Sequence, residues 1–187
     1  STRKAIKIDP SFSNAYSNLG NNLREIGNLK EAEVMARKAI EINPNFANAH
    51  CNLGTILKEL DKLKEAELST RKAIEINPNH ALAYSNLGTI LKDLGRLKEA
   101  EMMTKKAIKL KPDFSDAYLN LSLLELLKGN YESGFINYDF RDLNKKLIVP
   151  NINSKITRIV EWKLQKDNKL LVISEQGLGD TIQYMRY

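Results

Sequence analysis

The chain has 187 residues, of which 42% are hydrophobic and 28% are charged, and its formal net charge is +6. This composition suffices for a continuous core, and it excludes a disordered chain and a membrane protein, because no apolar run approaches the roughly 20 residues of a spanning helix. The single cysteine, Cys51, excludes an internal disulfide and fits a reducing compartment, so we expect a cytoplasmic location.

A period of 34 residues runs through most of the chain. Prolines recur at this interval, at Pro10, Pro44, Pro78 and Pro112. The string AYSNLG or a close variant begins at Ala15, Ala49, Ala83 and Ala117, and LKEAE begins at Leu29, Leu63 and Leu97. Such a period indicates stacked helical hairpins, in which equivalent side chains form rows along one surface.

Two helices are predicted in each repeat. In the first unit, Tyr16, Leu19 and Leu23 fall on one helical stripe, and a second helix carries small residues such as Ala32. Gly27, Gly95 and Gly129 are predicted to lie in the turns between the two helices. The prolines end one unit, and Asn45, Asn79 and Asp113 are predicted to cap the next helix.

Four units follow from this pattern. Residues 1–12 are predicted to be the second helix of a truncated repeat, and the units span 13–46, 47–80, 81–114 and 115–148. Because the sequence starts without methionine and in mid-repeat, we expect the native N-terminus to lie upstream.

The spacing of the aromatic, Leu-Gly, Ala and Pro positions resembles that of the tetratricopeptide repeat, over residues 1 to about 142. The resemblance implies an all-α, right-handed superhelix (α-solenoid) of helix-turn-helix units. His50 stands where the leading aromatic residue is usual, and we expect it to fill the core there. In the fourth unit, Ser122, Glu125 and Gly134 replace Gly, Leu and Ala, so this unit is predicted to be a divergent terminal repeat.

The asparagine row is the candidate binding site; it consists of the sixth position of each unit, Asn18, Asn52, Asn86 and Asn120. An amide both donates and accepts, so such a row can pair with the backbone of an extended peptide of any sequence. In tetratricopeptide proteins this face lines the inside of the superhelix, and the row resembles the asparagine ladder in O-linked N-acetylglucosamine transferases. Seven residues are predicted to flank it: Asn14, Asn48, Ser17, Ser85, Asn21, Thr55 and Thr89. The alternative is that the row only bonds neighbouring helices and sets the twist.

Other partners are not favoured. Recurring basic pairs such as Arg37 and Lys38 follow acids at helical spacing, as in Glu33 and Arg37, so they indicate a solvated surface and no nucleic-acid site. His50 and His80 lack the spacing of zinc ligands, and no metal or cofactor is expected.

The periodicity ends near residue 142. Residues 149–168 are predicted to be a linker, and in residues 169–187 an apolar run, KLLVIS, precedes GLGD and a helix from Thr181. This segment resembles the start of a glycosyltransferase-like, heptosyltransferase-related domain in bacterial tetratricopeptide proteins, which implies a short α/β remnant. The resemblance makes Asp180 a possible catalytic base of a complete domain; otherwise it caps the helix.

Three functions remain open from the sequence. The first is a scaffold that binds a peptide or protein without contacting membranes. The second is the acceptor-recognition arm of a glycosyltransferase whose catalytic domain is truncated here, so that this chain itself is not an enzyme. The third is self-association into a homo-oligomer.

Overall fold

A computed structural model of the protein describes residues 2–140. The predicted linker and the predicted strand and helix of residues 169–187 lie outside this range. The helices within it are α1 (Thr2–Ile8), α2 (Ser13–Glu25), α3 (Leu29–Ile42), α4 (Ala47–Glu59), α5 (Leu63–Ile76), α6 (Ala81–Asp93), α7 (Leu97–Leu110), α8 (Ser115–Leu127) and α9 (Tyr131–Asp139).

These helices form an α-solenoid, which confirms the predicted all-α class for the described part of the chain. Each helix packs on the next one, and the strongest packing is within the pairs that share a short turn: α2 with α3, α4 with α5, α6 with α7 and α8 with α9. We call the first member of each pair the first helix and the second member the second helix.

The two kinds of helix differ in how they meet their neighbours. The backbone of each first helix approaches the first helix of the next pair closely, whereas between residues 2 and 140 consecutive second helices meet only through long side chains, as in the ion pair of Arg37 with Glu65 at 2.8 Å. The first helices therefore lie closer together, and a groove opens between α3 and α5.

The turn inside each pair uses one residue with a left-handed backbone. Gly27, Gly95 and Gly129 have φ values of 79°, 76° and 80°, which confirms the predicted turn glycines. At the equivalent place between α4 and α5 stands Asp61, with φ 59°. A side chain at positive φ is strained, so this turn is less favourable than the other three.

The turn between pairs differs from the prediction. Asn43 is extended before Pro44, and its Oδ1 accepts the backbone N–H of Asn45 at 3.1 Å. The residue that precedes α4 is Phe46, which makes no side-chain capping bond. Asn45 is thus not the cap, because the Asn43 side chain organises the turn and α4 begins one residue too late for Asn45.

The same correction holds at the two later turns. Asn79 donates its backbone N–H to Asn77 at 3.1 Å, and His80 precedes α6. Phe114, not Asp113, precedes α8.

The core depends on close approach of the paired helices. Ala66 and Ala100 on the second helices are fully buried, and Gly54 and Gly88 on the first helices face them. In the fourth pair the small residues exchange sides, since Ser122 replaces the glycine and Gly134 replaces the alanine.

None of the helices within residues 2–140 has the length and hydrophobicity that crossing a bilayer requires. His50 is half-buried with Nε2 2.9 Å from the carbonyl oxygen of Pro44, so the prediction that it fills the core is wrong: its ring reaches the surface to meet a polar partner.

Candidate functional site

The asparagine row connects neighbouring first helices. The side-chain amide of Asn52 donates to the hydroxyl of Ser17 at 3.0 Å, and that of Asn120 donates to Ser85 at the same distance. Ser17 and Ser85 are only 1% and 2% exposed. The two serines are therefore the buried supports of the row, rather than residues that flank it on the surface.

The bond at Asn86 uses a different partner. Here the equivalent support is Cys51, and Asn86 donates to its sulfur at 3.4 Å and to the hydroxyl of Thr55 at 2.9 Å. Burial raises the pKa of the Cys51 thiol to about 12, although the Asn86 amide acts in the opposite direction. Thr55 thus compensates for a sulfur atom that is a weak acceptor.

The carbonyl half of each amide has no such bond. Among the described residues, the Oδ1 atoms of Asn52, Asn86 and Asn120 accept no hydrogen bond, and all three residues are partly exposed. Asn18 begins the row and is exposed. The row therefore presents acceptors to solvent while its donors hold the helices together.

The remaining predicted residues differ in their availability. Asn48 is exposed, and its Oδ1 lies 2.9 Å from Nε2 of His80, whose pKa is lowered by desolvation. Asn21 bonds to Glu25 on its own helix at 3.0 Å. Asn14 is exposed.

The hydroxyl of Thr89 donates to the backbone carbonyl oxygen of Asn86, three residues earlier, at 2.8 Å. The hydroxyl of Thr55 donates to the backbone carbonyl oxygen of Cys51, four residues earlier, at 3.2 Å.

A cavity of about 210 Å³ lies beside the row between α6 and α8; we call it the inner cavity. Its polar lining includes Asn86 and Asn120, and its apolar lining includes Leu82 and Phe114. Leu82 is 45% exposed. The full set of lining residues is Thr55, Lys58, Leu82, Ser85, Asn86, Thr89, Ile90, Phe114, Asp116 and Asn120.

Charge on this face is largely neutralised. Arg24 pairs with Glu59 on the next first helix at 2.7 Å, and Lys58 pairs with Asp93 at 3.7 Å. These pairs run parallel to the asparagine row. A ligand here meets mainly amides, hydroxyls and apolar groups, and Asp116 in the inner cavity is a charged group without an ion pair among the described residues.

A second surface was missed by the sequence analysis. Val34, Leu68, Met102 and Ile136 occupy the same position of each second helix, 34 residues apart, and all four are exposed. The period of the chain could have revealed this set, which we call the apolar row. By contrast, Asp180 lies outside the described residues, so its predicted role stays a prediction.

Comparison with known proteins identifies the repeats. Residues 13–46 and 47–80 match one tetratricopeptide repeat model, and residues 70–102 match a second. Together the two models match residues 13–102 of the chain. A comparison with curated protein sequences found no match.

Solved structures with the same fold include MamA. It is 26% identical with a TM-score of 0.63, and the match covers 75% of this chain and 82% of that chain. The OM64 domain from Arabidopsis is 27% identical with a TM-score of 0.59, covering 62% and 95%.

The first tetratricopeptide domain of Spaghetti (RPAP3), solved bound to the HSP90 peptide SRMEEVD, is 22% identical with a TM-score of 0.59, covering 63% and 93%. At that identity the likeness shows the fold alone. None of these comparisons tests the predicted resemblance to O-linked N-acetylglucosamine transferases, which stays a prediction.

Proposed function

We propose that this chain is a peptide- or protein-binding scaffold, and that the asparagine row holds an extended segment of the partner. Support at the level of the fold comes from the Spaghetti domain, which shares it and was solved with a bound peptide. The observation that carries the proposal is that the two halves of each amide have different environments. The N–H bonds to the preceding first helix, and the Oδ1 has no partner among the described residues.

This arrangement suits a peptide backbone. Because the N–H of Asn52 or Asn120 is fixed by a buried serine, the direction of its carbonyl is set before a ligand arrives, which lowers the entropic cost of binding. Packed helices lie about 8–10 Å apart and an extended chain advances about 3.3 Å per residue. Each unit would thus accept one backbone N–H from roughly every third ligand residue.

The inner cavity adds selection of a side chain. Its volume of about 210 Å³ is below the roughly 300–1,000 Å³ of small-molecule sites, so it fits part of a larger ligand. Leu82 and Phe114 favour an apolar side chain there. Since Arg24 and Lys58 are already paired, the face favours an uncharged segment over an acidic one such as SRMEEVD.

The test compares two variants that lose the same hydrogen bond. Asn120→Ala removes both the bond to Ser85 and the free carbonyl, whereas Ser85→Ala removes the bond and leaves the amide in place. A peptide selected from a random phage library would be titrated against each by fluorescence anisotropy. We expect Asn120→Ala to weaken binding about tenfold, which corresponds to about 1.4 kcal/mol, and Ser85→Ala to change it by less than about threefold.

Two results would contradict the proposal. Equal losses in both variants would make the row purely structural, as the sequence alternative holds. If the wild-type protein selects no peptide from the library, the proposed scaffold function itself is wrong. The glycosyltransferase arm and self-association stay predictions, and the first depends on residues 169–187, outside the described range.

A further inference from the structure

The apolar row lies on the second helices, whereas the asparagine row lies on the first helices. Val34, Leu68, Met102 and Ile136 are 58%, 70%, 57% and 47% exposed. Isolated exposed apolar residues are ordinary on protein surfaces. The apolar row, however, recurs in every pair on helix faces that are otherwise charged. Its exposure therefore needs a specific explanation.

Uncompensated lysines accompany the row. Lys30, Lys64 and Lys98 stand four residues before an apolar-row residue, so each lies one turn away on the same helix face. Within residues 2–140 none of the three has an ion-pair partner. Several other cations of these helices are compensated, as Lys72 is by Glu75 at 2.7 Å, although Lys106 and Lys109 on α7 also lack an ion-pair partner within residues 2–140. The apolar row is therefore bordered by free positive charge.

Leu68 also forms the wall of a groove between α3 and α5. This outer groove has a volume of about 520 Å³, and its lining includes Ile40, Leu53, Leu57 and His50. Three of these, His50, Leu53 and Leu57, follow one another along α4 at spacings of three and four residues. The floor thus runs along α4 for two turns, roughly 10 Å, and consists of two leucines with the polar ring of His50 at one end.

We propose that the outer groove, whose wall includes Leu68 of the apolar row, binds an acidic amphipathic helix of a protein partner. A helix with apolar residues at spacings of three and four presents a stripe of the same period and length as the floor of the groove. Carboxylates beside that stripe would meet Lys30 and Lys64. The site is separate from the asparagine row, so both faces can be occupied together.

Two other occupants fit less well. An anionic lipid surface is flat, so it cannot fill a groove of about 520 Å³. A second copy of this face would bring Lys30, Lys64 and Lys98 against each other, where like charges oppose contact.

The experiment uses a labelled synthetic amphipathic helix with one leucine face and glutamates elsewhere, together with a scramble of equal composition. We expect the full chain to bind the amphipathic peptide with a dissociation constant in the micromolar range and the scramble at least tenfold more weakly. Added salt should weaken binding because the lysines contribute. Leu68→Glu and Lys64→Glu should each lower the affinity about tenfold.

The matched control is Leu127→Glu on α8. Leu127 is 65% exposed, close to the 70% of Leu68, but it belongs to a first helix. Two results would overturn the proposal. One is equal binding of the amphipathic peptide and its scramble, and the other is an equal loss of affinity in Leu68→Glu and Leu127→Glu. If the protein captures phosphatidylserine vesicles but does not bind the peptide, the face binds lipid instead. If the protein is a dimer that only Leu68→Glu dissociates, the face binds a second copy instead.

Discussion

Gly54 lies directly against Thr70: a Cβ at Gly54 would overlap the Oγ1 of Thr70 and come within 3.3 Å of the Ala66 carbonyl oxygen. The Thr70 hydroxyl cannot easily move away, since it bonds to that carbonyl at 2.8 Å in a fully buried position. We therefore expect Gly54→Ala to lower the free energy of unfolding by about 1–3 kcal/mol, although alanine is the better helix former. Urea denaturation followed by circular dichroism measures this difference.

The control is the double variant Gly54→Ala with Thr70→Ala. The first pair already uses the combination of Gly20 and Ala36 at these positions, so alanine is tolerated opposite the glycine. Removal of the Thr70 hydroxyl should restore at least half of the lost stability. If the double variant is less stable than the single one, the clash is not the cause.

The second prediction concerns Asp61. Replacing it with glycine removes a side chain from positive φ, and we expect Asp61→Gly to raise the free energy of unfolding by about 0.5–1 kcal/mol. The reciprocal change, Gly95→Asp, should lower it by a similar amount. Midpoints of guanidinium denaturation compare the two, and a loss of stability in Asp61→Gly would contradict the strain.

The third prediction concerns the buried thiol. Since burial raises the pKa of Cys51 to about 12, the folded protein keeps the thiol protonated while the unfolded chain ionises near pH 9. The unfolded state therefore binds fewer protons in this interval, and stability falls as the pH rises from 9 to 12, by up to about 1.4 kcal/mol per pH unit.

Cys51→Ser isolates this contribution from other alkaline titrations. Its free energy of unfolding should fall less steeply above pH 9 than that of the wild type. The native thiol should also resist iodoacetamide at neutral pH and react only in denaturant. Rapid alkylation of the native protein would show that the side chain is accessible.

The fourth prediction concerns the joint between the first two pairs. The pKa of Glu33 is lowered, first by its hydrogen bond to Lys62 and further by Arg37. A carboxyl with a depressed pKa contributes stability above its ordinary pKa near 4.5, and this contribution is lost as the pH falls through the folded value. Glu33→Gln should therefore lose less stability than the wild type between pH 6 and about pH 3.

Glu132→Gln is the control for that measurement. Glu132 makes no ion pair among the described residues and is exposed. Its replacement should leave the acid response unchanged, and an equal response of the two variants would show that the Glu33 pair contributes nothing. Fluorescence-monitored denaturation at each pH gives the comparison.

The helices and their turns could be predicted because they depend on local patterns. The stripe of Tyr16, Leu19 and Leu23 specifies a helix, and Gly27 and Pro44 mark where two helices end. The capping residue was missed because Asn43, two residues before Asn45, forms the bond that shapes the turn. Several short polar residues in one turn compete for the same backbone N–H, and the sequence does not rank them.

The role of each asparagine could not be predicted from the sequence. An amide that recurs can face a ligand or a neighbouring helix, and only the position of Ser17 relative to Asn52 decides where its N–H points.

The partner of a polar residue in the fourth pair could not be predicted from the sequence either. Glu125 replaces a leucine, and the structure supplies its partner, since Asn137 donates to it at 2.6 Å in a buried setting.

Neighbouring pairs are joined by three recurring kinds of bond, of which the last joint lacks one because Leu127 stands where Glu59 and Asp93 form ion pairs. The repetition allows the number of pairs to change. Without residues 47–80, Asn86 would meet Ser17, Asp93 would meet Arg24, and Arg96 would meet Glu33. Each new contact reproduces the chemistry of an existing one. Duplication or loss of a 34-residue segment in the gene would thus yield proteins with longer or shorter binding faces and intact joints, so the reach of the molecule can evolve without redesign of its core.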